Sequence, residues 1–296
     1  MNQKLLLAAV LVGAFVAITL LPAQDAPDVQ KKAGKKKAAP GGLGAKSPDL
    51  PANLFVSAST VAHTALRHEW VDIAAGKTKL HTWIEYPTGD AKAPVALLMH
   101  YDAGLDISQR ALADQIALEG FIVLAPDLLS GRGPKSGNFD AFPFPDEALR
   151  ADLKLPQAEA LRLYKAAYDY AAKLPRSSGK IAVLGCSLGG TLAWRFAAAT
   201  PGLSAVAVFY GLPPGDAALA KINAPVIGLY GSDDDPVDAT IEPTAAAMKK
   251  LGKVYEPHIY SGATHAFMTY QAEGLNGAGT AEAWPTAMAF LKDHTK

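Results

Sequence analysis

The chain has 296 residues, half of them hydrophobic, and its 28 basic side chains balance 28 acidic ones. That is enough apolar material for one large core, and the lack of a basic excess argues against a nucleic-acid partner. The single cysteine excludes an intramolecular disulfide framework and any cysteine-based metal cluster.

Lys4 precedes a 17-residue apolar stretch, Leu5 to Leu21, which is followed by Pro22-Ala23-Gln24-Asp25-Ala26. A positive start, an apolar centre and small residues at the exit predict a secretory signal peptide over residues 1–23, cleaved after Ala23 or Ala26. An uncleaved anchor is the alternative reading, because the stretch is near the lower limit for spanning a bilayer. With no cysteine in this segment to take a lipid, a lipoprotein is disfavoured. Residues 24–51 are rich in Ala, Gly, Lys and Pro and are expected to form a disordered linker. Its run Lys31-Lys32-Ala33-Gly34-Lys35-Lys36-Lys37 could make weak contact with the anionic envelope.

Residues 52–296 are expected to fold as one domain. His68–Ile73 and Lys79–Tyr86 alternate with period two around Gly76, the pattern of a hairpin. Pro94–His100 and Phe121–Ala125 are continuous apolar runs, as in strands buried on both faces. A helix is predicted between them, from Ile107 to Glu119. Residues 130–155 read as an irregular lid or binding loop, and a long helix from Pro156 to Leu174 follows. Beyond it come strands at Lys180–Leu184, Ala205–Tyr210, Pro225–Tyr230 and Val254–Tyr260, with helices near Pro243–Leu251 and Ala281–Asp293. Strands alternating with helices predict an α/β fold with a mostly parallel central sheet covered on both faces, and a site at the carboxyl ends of its strands.

The strand Lys180–Leu184 runs into Gly185-Cys186-Ser187-Leu188-Gly189-Gly190, and the helical run Thr191–Ala199 leaves it. A strand, a sharp turn and a helix with Gly-x-Ser-x-Gly at the corner is the pattern of a nucleophile elbow. Were Cys186 the nucleophile, its flanking glycines would be at positions 184 and 188, and both are leucine. Ser187 is therefore the candidate nucleophile, and Cys186 a small buried side chain. A serine needs a base, and the base needs an orienting acid. Asp233, Asp234 and Asp235 follow a late strand, and His265 lies in Tyr260–Phe267 after the last one. The remaining histidines, His100 among them, fall outside this pattern and read as structural or exposed.

These segments resemble the dienelactone hydrolases, from about Leu80 to the C-terminus. The resemblance rests on Gly231-x-x-Asp234-x-x-Val237 and Gly262-x-x-His265-x-Phe267, with Asp234 47 positions after Ser187 and His265 31 positions after Asp234. It implies a catalytic Ser187, Asp234 and His265 on an alpha/beta-hydrolase fold, with Asp233 and Asp235 as turn and capping residues. Leu188, following the nucleophile, is expected to donate its backbone N–H to an oxyanion. By resemblance Asp102 supplies the second N–H, with Tyr101 and Ala103 as alternatives. Typical members have a cysteine nucleophile and an activating glutamate, where this chain has Ser187 and Tyr101. Of the arginines that bind a substrate carboxylate in the family, Arg132 is the one candidate here, and Thr269 is near the other position.

The sequence thus predicts an exported, periplasmic or secreted serine hydrolase cleaving neutral carboxylic esters through an acyl-enzyme. Tyr101, Arg132 and Phe267 are candidate substrate contacts, with Phe142 and Phe144 as further candidates for the pocket wall. The expected partner is a small-molecule ester, and neither metal nor organic cofactor is required. The alternatives are a dienelactone hydrolase proper and a non-catalytic envelope-associated binding module on the same fold.

Overall fold

The computed structural model describes Pro51 and residues 57–296. The predicted signal peptide and nearly all of the predicted linker lie outside the described residues. The described chain opens with α1 (Ser57–His63), which the sequence pattern did not announce, followed by β1 (Arg67–Ala75) and β2 (Thr78–Tyr86). These two strands pair antiparallel, with Ala75 opposite Thr78. The turn between them is made at Gly76, whose φ of +61° suits a residue without Cβ.

The remaining strands and α-helices are β3 (Ala93–Met99), α2 (Ile107–Leu118), β4 (Ile122–Pro126), α3 (Pro145–Leu153), α4 (Gln157–Ala171), β5 (Ser177–Cys186), α5 (Leu188–Ala199), β6 (Ala205–Phe209), α6 (Asp216–Leu219), β7 (Val226–Asp233), α7 (Asp235–Lys250), β8 (Tyr255–Thr264) and α8 (Asn276–His294). The eight strands form one sheet in the order β1-β2-β4-β3-β5-β6-β7-β8. The β1–β2 and β2–β4 pairs are antiparallel and the rest parallel. The chain leaves β3 for β4 on one side and later returns to β5 on the other. That reversal of strand order leaves a crevice beyond the carboxyl ends of β3 and β5.

Side chains alternate across the sheet and separate the core into two layers. Val95, Leu97, Met99, Val183 and Val206 pack with Leu163 and Tyr164 of α4 and Trp194 and Phe196 of α5. Ala96, Leu98, Leu184, Cys186 and Phe209 pack on the other face with Leu112 and Ile116 of α2 and Trp284 and Met288 of α8. Helices therefore cover both faces, as the apolar strands require. Cys186 is a buried part of the second layer, and burial pushes its thiol up to about 12.

Three expectations need correction. The region 130–155 is not wholly irregular, because Pro145 in the first turn opens α3, with Asp146 and Glu147 favourably placed at the positive helix end. The helix expected from Pro243 begins instead at Asp235. Pro236 occupies its first turn, where a missing N–H costs nothing, and Pro243 lies inside the helix. The last helix likewise starts at Asn276 and carries Pro285 in its interior.

Candidate active site

Ser187 sits between β5 and α5 with φ 54° and ψ −117°, a conformation that ordinary side chains rarely adopt. Strain of this kind costs on the order of 1–3 kcal/mol and persists only where the surroundings impose it. The Ser187 N–H donates to the Phe209 carbonyl, and the Ser187 carbonyl accepts from Thr191 N–H, tying the turn to β6 and to the helix. The flanking glycines permit this closeness. A Cβ on Gly185 would lie 2.3 Å from the Gly189 carbonyl oxygen, and one on Gly189 would lie 2.0 Å from Met99 O. The first turn of α5 is thus pressed against the end of β3, where the loop 100–106 begins.

Two further loops complete the arrangement. The Ser187 hydroxyl is 2.9 Å from His265 Nε2. His265 Nδ1 is 2.6 Å from Asp234 Oδ2. Asp234 occupies the N-cap position of α7 but makes no side-chain cap, so its carboxylate is left for the imidazole. Its side chain is 7% exposed, against 45% for His265. A shielded carboxylate keeps a strong hold on Nδ1–H, while the half-exposed imidazole is open to water. Nδ1 protonated leaves Nε2 to accept the serine proton, the orientation a general base needs. Asp233 and Asp235 are both exposed and neither reaches the ring, so of the three aspartates Asp234 is the one on His265.

The loop bearing His265 is braced from several sides. Asn276 accepts from Thr264 N–H and donates from its amide to the Tyr270 carbonyl. Ser232 Oγ, beside the acid, accepts from Gly262 N–H. The Tyr210 ring meets the His265 ring edge-on at 5.1 Å. None of these supports has a sequence signature, because each joins residues 6 to 55 positions apart through tertiary contacts.

The expected pocket residues divide. Tyr101 lies in the loop after β3, but its hydroxyl donates to Asp106 Oδ2 at 2.5 Å. Asp106 also caps α2 by accepting from Ser108 N–H and Gln109 N–H. Asp102 lies in the same loop, half-buried, and Leu188 is the first residue of α5. Phe267 is not a pocket wall. It is fully buried and packs on Tyr210 and Tyr260, because the chain turns inward at Ala266, where φ is +57°. Arg132 is not beside the triad. It pairs with Glu159 at 3.4 Å and lines a polar cleft with Asp72, Lys79 and His81 that contains no triad residue. Phe142 is half-buried, and Phe144 is 60% exposed at the start of α3. Among the described residues, no group of three or more His, Cys, Asp or Glu side chains is placed to hold a metal ion.

Comparison with known proteins gives the same grouping. The sequence model of the dienelactone hydrolase family matches residues 80–295. A Salmonella typhimurium protein named "putative carboxymethylenebutenolidase" is 25% identical over 263 residues, which span 82% of this chain and 96% of that one. The structure of a dienelactone hydrolase from Anabaena variabilis superposes with a TM-score of 0.61 at 22% identity, covering 79% of this chain and all of that one. A dienelactone hydrolase-like promiscuous phosphotriesterase from metagenomic libraries gives 0.64 at 21% identity over the same shares. At these identities the structural matches speak for the fold.

Proposed function

The chain belongs to the dienelactone hydrolase family, and from that premise we propose that it is a serine hydrolase cleaving neutral carboxylic esters through an acyl-enzyme on Ser187. The observation that carries this reading is the continuous line of hydrogen-bonding contacts from Ser187 through His265 to Asp234, at 2.9 and 2.6 Å, with the serine on a strained elbow.

In this mechanism His265 Nε2 takes the proton as Ser187 Oγ attacks the ester carbonyl. Asp234 holds the Nδ1–H and stabilises the imidazolium that forms. Charge on the tetrahedral oxygen is met by the N–H groups of Leu188 and Asp102, which need no reorganisation at the moment of reaction. The imidazolium then protonates the leaving alkoxide. A water activated by the same histidine releases the acid and restores Ser187.

A neutral substrate is favoured by the state of Tyr101 and Arg132, the two polar candidates for substrate contact. The Tyr101 hydroxyl is engaged by Asp106, and Arg132 is engaged by Glu159 away from the triad. The Lys4 and Leu5–Leu21 pattern supports export of the enzyme.

Hydrolysis of short and long p-nitrophenyl esters by the wild type and by Ser187→Ala tests the proposal. A folded alanine variant with almost no turnover supports it, and equal turnover by the two proteins refutes it. A folded wild type inert to every ester and to serine-directed probes would favour a binding module instead.

A further inference from the structure

His100, the residue after β3, is 1% exposed and lies outside the triad, yet its ring makes backbone contacts on both edges. Nδ1 is 2.8 Å from the Tyr101 carbonyl oxygen. A carbonyl can only accept, so the hydrogen of this bond resides on Nδ1. Nε2 is 3.4 Å from Leu128 N, and a backbone N–H can only donate. Both contacts demand the same neutral tautomer, with Nδ1 protonated and Nε2 bare. Asp152, on α3, brings Oδ2 to 3.6 Å from the same Nδ1, and both side chains are 1% exposed. Neither Asp152 oxygen meets a hydrogen-bond partner among the described residues. Asp127, at the end of β4, is the other buried carboxylate on this ring. Its oxygens are already taken by Leu129 N–H and Phe139 N–H.

The Tyr101 carbonyl belongs to the same peptide unit as the Asp102 N–H. In a trans peptide, which this bond is, the C=O and N–H point in opposite directions across a rigid plane. A donor that holds the Tyr101 oxygen therefore also aims the Asp102 N–H. Gly104 N–H reaches the same oxygen at 3.2 Å and closes the turn. The shorter bond, and the one anchored in the core, comes from His100.

We propose that His100 is the positioning residue of the oxyanion hole, fixing the Tyr101–Asp102 peptide so that its N–H faces the ester oxygen. Asp152 flanks the Nδ1–H edge of the ring and links this arrangement to α3. The inference rests on the reading of Ser187 as the nucleophile. His100 touches no reacting atom and acts through the backbone alone. Its effect belongs to the transition state, in which the oxygen carries charge, more than to the bound ester.

The test compares His100→Leu, His100→Asn and His100→Gln on a p-nitrophenyl ester that the wild type hydrolyses. Asparagine carries a donor amide near the place of Nδ1, glutamine carries its amide near the place of Nε2, and leucine carries none. Loss of one oxyanion donor costs about 100- to 1000-fold in kcat, and a donor left in place but misdirected is expected to cost about 10- to 100-fold. His100→Leu and His100→Gln should show that fall in kcat with KM nearly unchanged, and His100→Asn should recover most of it. If the leucine variant does not fold, the asparagine and glutamine variants decide by the same contrast. Equal kcat values for the folded variants and the wild type would overturn the inference, as would equal losses with asparagine and glutamine or a loss confined to KM. A wild type without esterase activity would instead overturn the reading beneath it.

Discussion

Replacing Glu85 by glutamine should stabilise this protein at neutral and alkaline pH, with a size that grows across a defined window. Glu85 lies on β2, 1% exposed, and accepts from the Trp83 indole N–H at 3.0 Å. Asp114 of α2 is its buried neighbour, and Glu85 Oε1 and Asp114 Oδ1 both lack hydrogen-bond partners among the described residues. Burial, reinforced by the Asp114 charge and opposed by the Trp83 bond, pushes the Glu85 carboxyl from 4.5 up to about 8. The folded state thus holds a proton that the unfolded state releases above pH 4.5. The stability of that protonated form is complete below pH 4.5 and is lost as pH rises toward 8. At 1.36 kcal/mol per unit, wild type at pH 7 has lost about 3 kcal/mol relative to pH 4.5. A glutamine keeps the acceptor for Trp83, supplies a neutral donor toward Asp114 and has no such dependence. Urea unfolding of both proteins from pH 4.5 to 8.5 reads the difference directly. The variant should gain on the wild type progressively up to about pH 8 and run parallel to it above. A difference that stays constant from pH 5 to 8 would refute the argument.

Two other perturbations act on the site itself. Gly189→Ala places a Cβ 2.0 Å from Met99 O and 2.6 Å from His100 O, both backbone atoms that cannot swing away. Overpacking of this kind costs about 1–3 kcal/mol, so thermal unfolding should fall by several degrees and turnover should fall with it. An alanine variant equal to wild type in both would contradict the packing described for the elbow. Asp234→Asn removes the acceptor that fixes the His265 tautomer, and the same change in a serine protease triad lowers kcat about 10⁴-fold. Asp233→Asn and Asp235→Asn should leave kcat nearly unchanged, and a comparable loss in either would move the acid to that position.

The elbow was legible in the sequence because its glycines are forced. Gly185 and Gly189 sit where backbone atoms of neighbouring elements leave no room for a Cβ, so their spacing around Ser187 reports the local structure directly. The two later motifs carry the same kind of information, a residue at a fixed offset from a strand end. The start of α7 was missed because Asp233–Asp235 read as a turn and Pro243 as an opening signal. The opening proline was Pro236, and tertiary packing of Val237, Ile241 and Met248 carries the helix through the second one. The direction of Phe267 was not legible, since an aromatic two residues after His265 can face either way. The positive φ of Ala266 turns it inward. His100 escaped notice for a similar reason. Its meaning lies in contacts with Leu128 and Asp152, 28 and 52 positions away, and no local pattern carries these.

The proposed reaction requires Ser187, activated by His265, to form the covalent intermediate. Labelling the native protein with a fluorophosphonate and locating the adduct by peptide mass spectrometry tests it most directly. One adduct is expected on the peptide Ile181–Arg195, fragmenting to Ser187, and none in Ser187→Ala. An adduct on another residue, or ester turnover persisting in a protein whose Ser187 remains unlabelled, would contradict it.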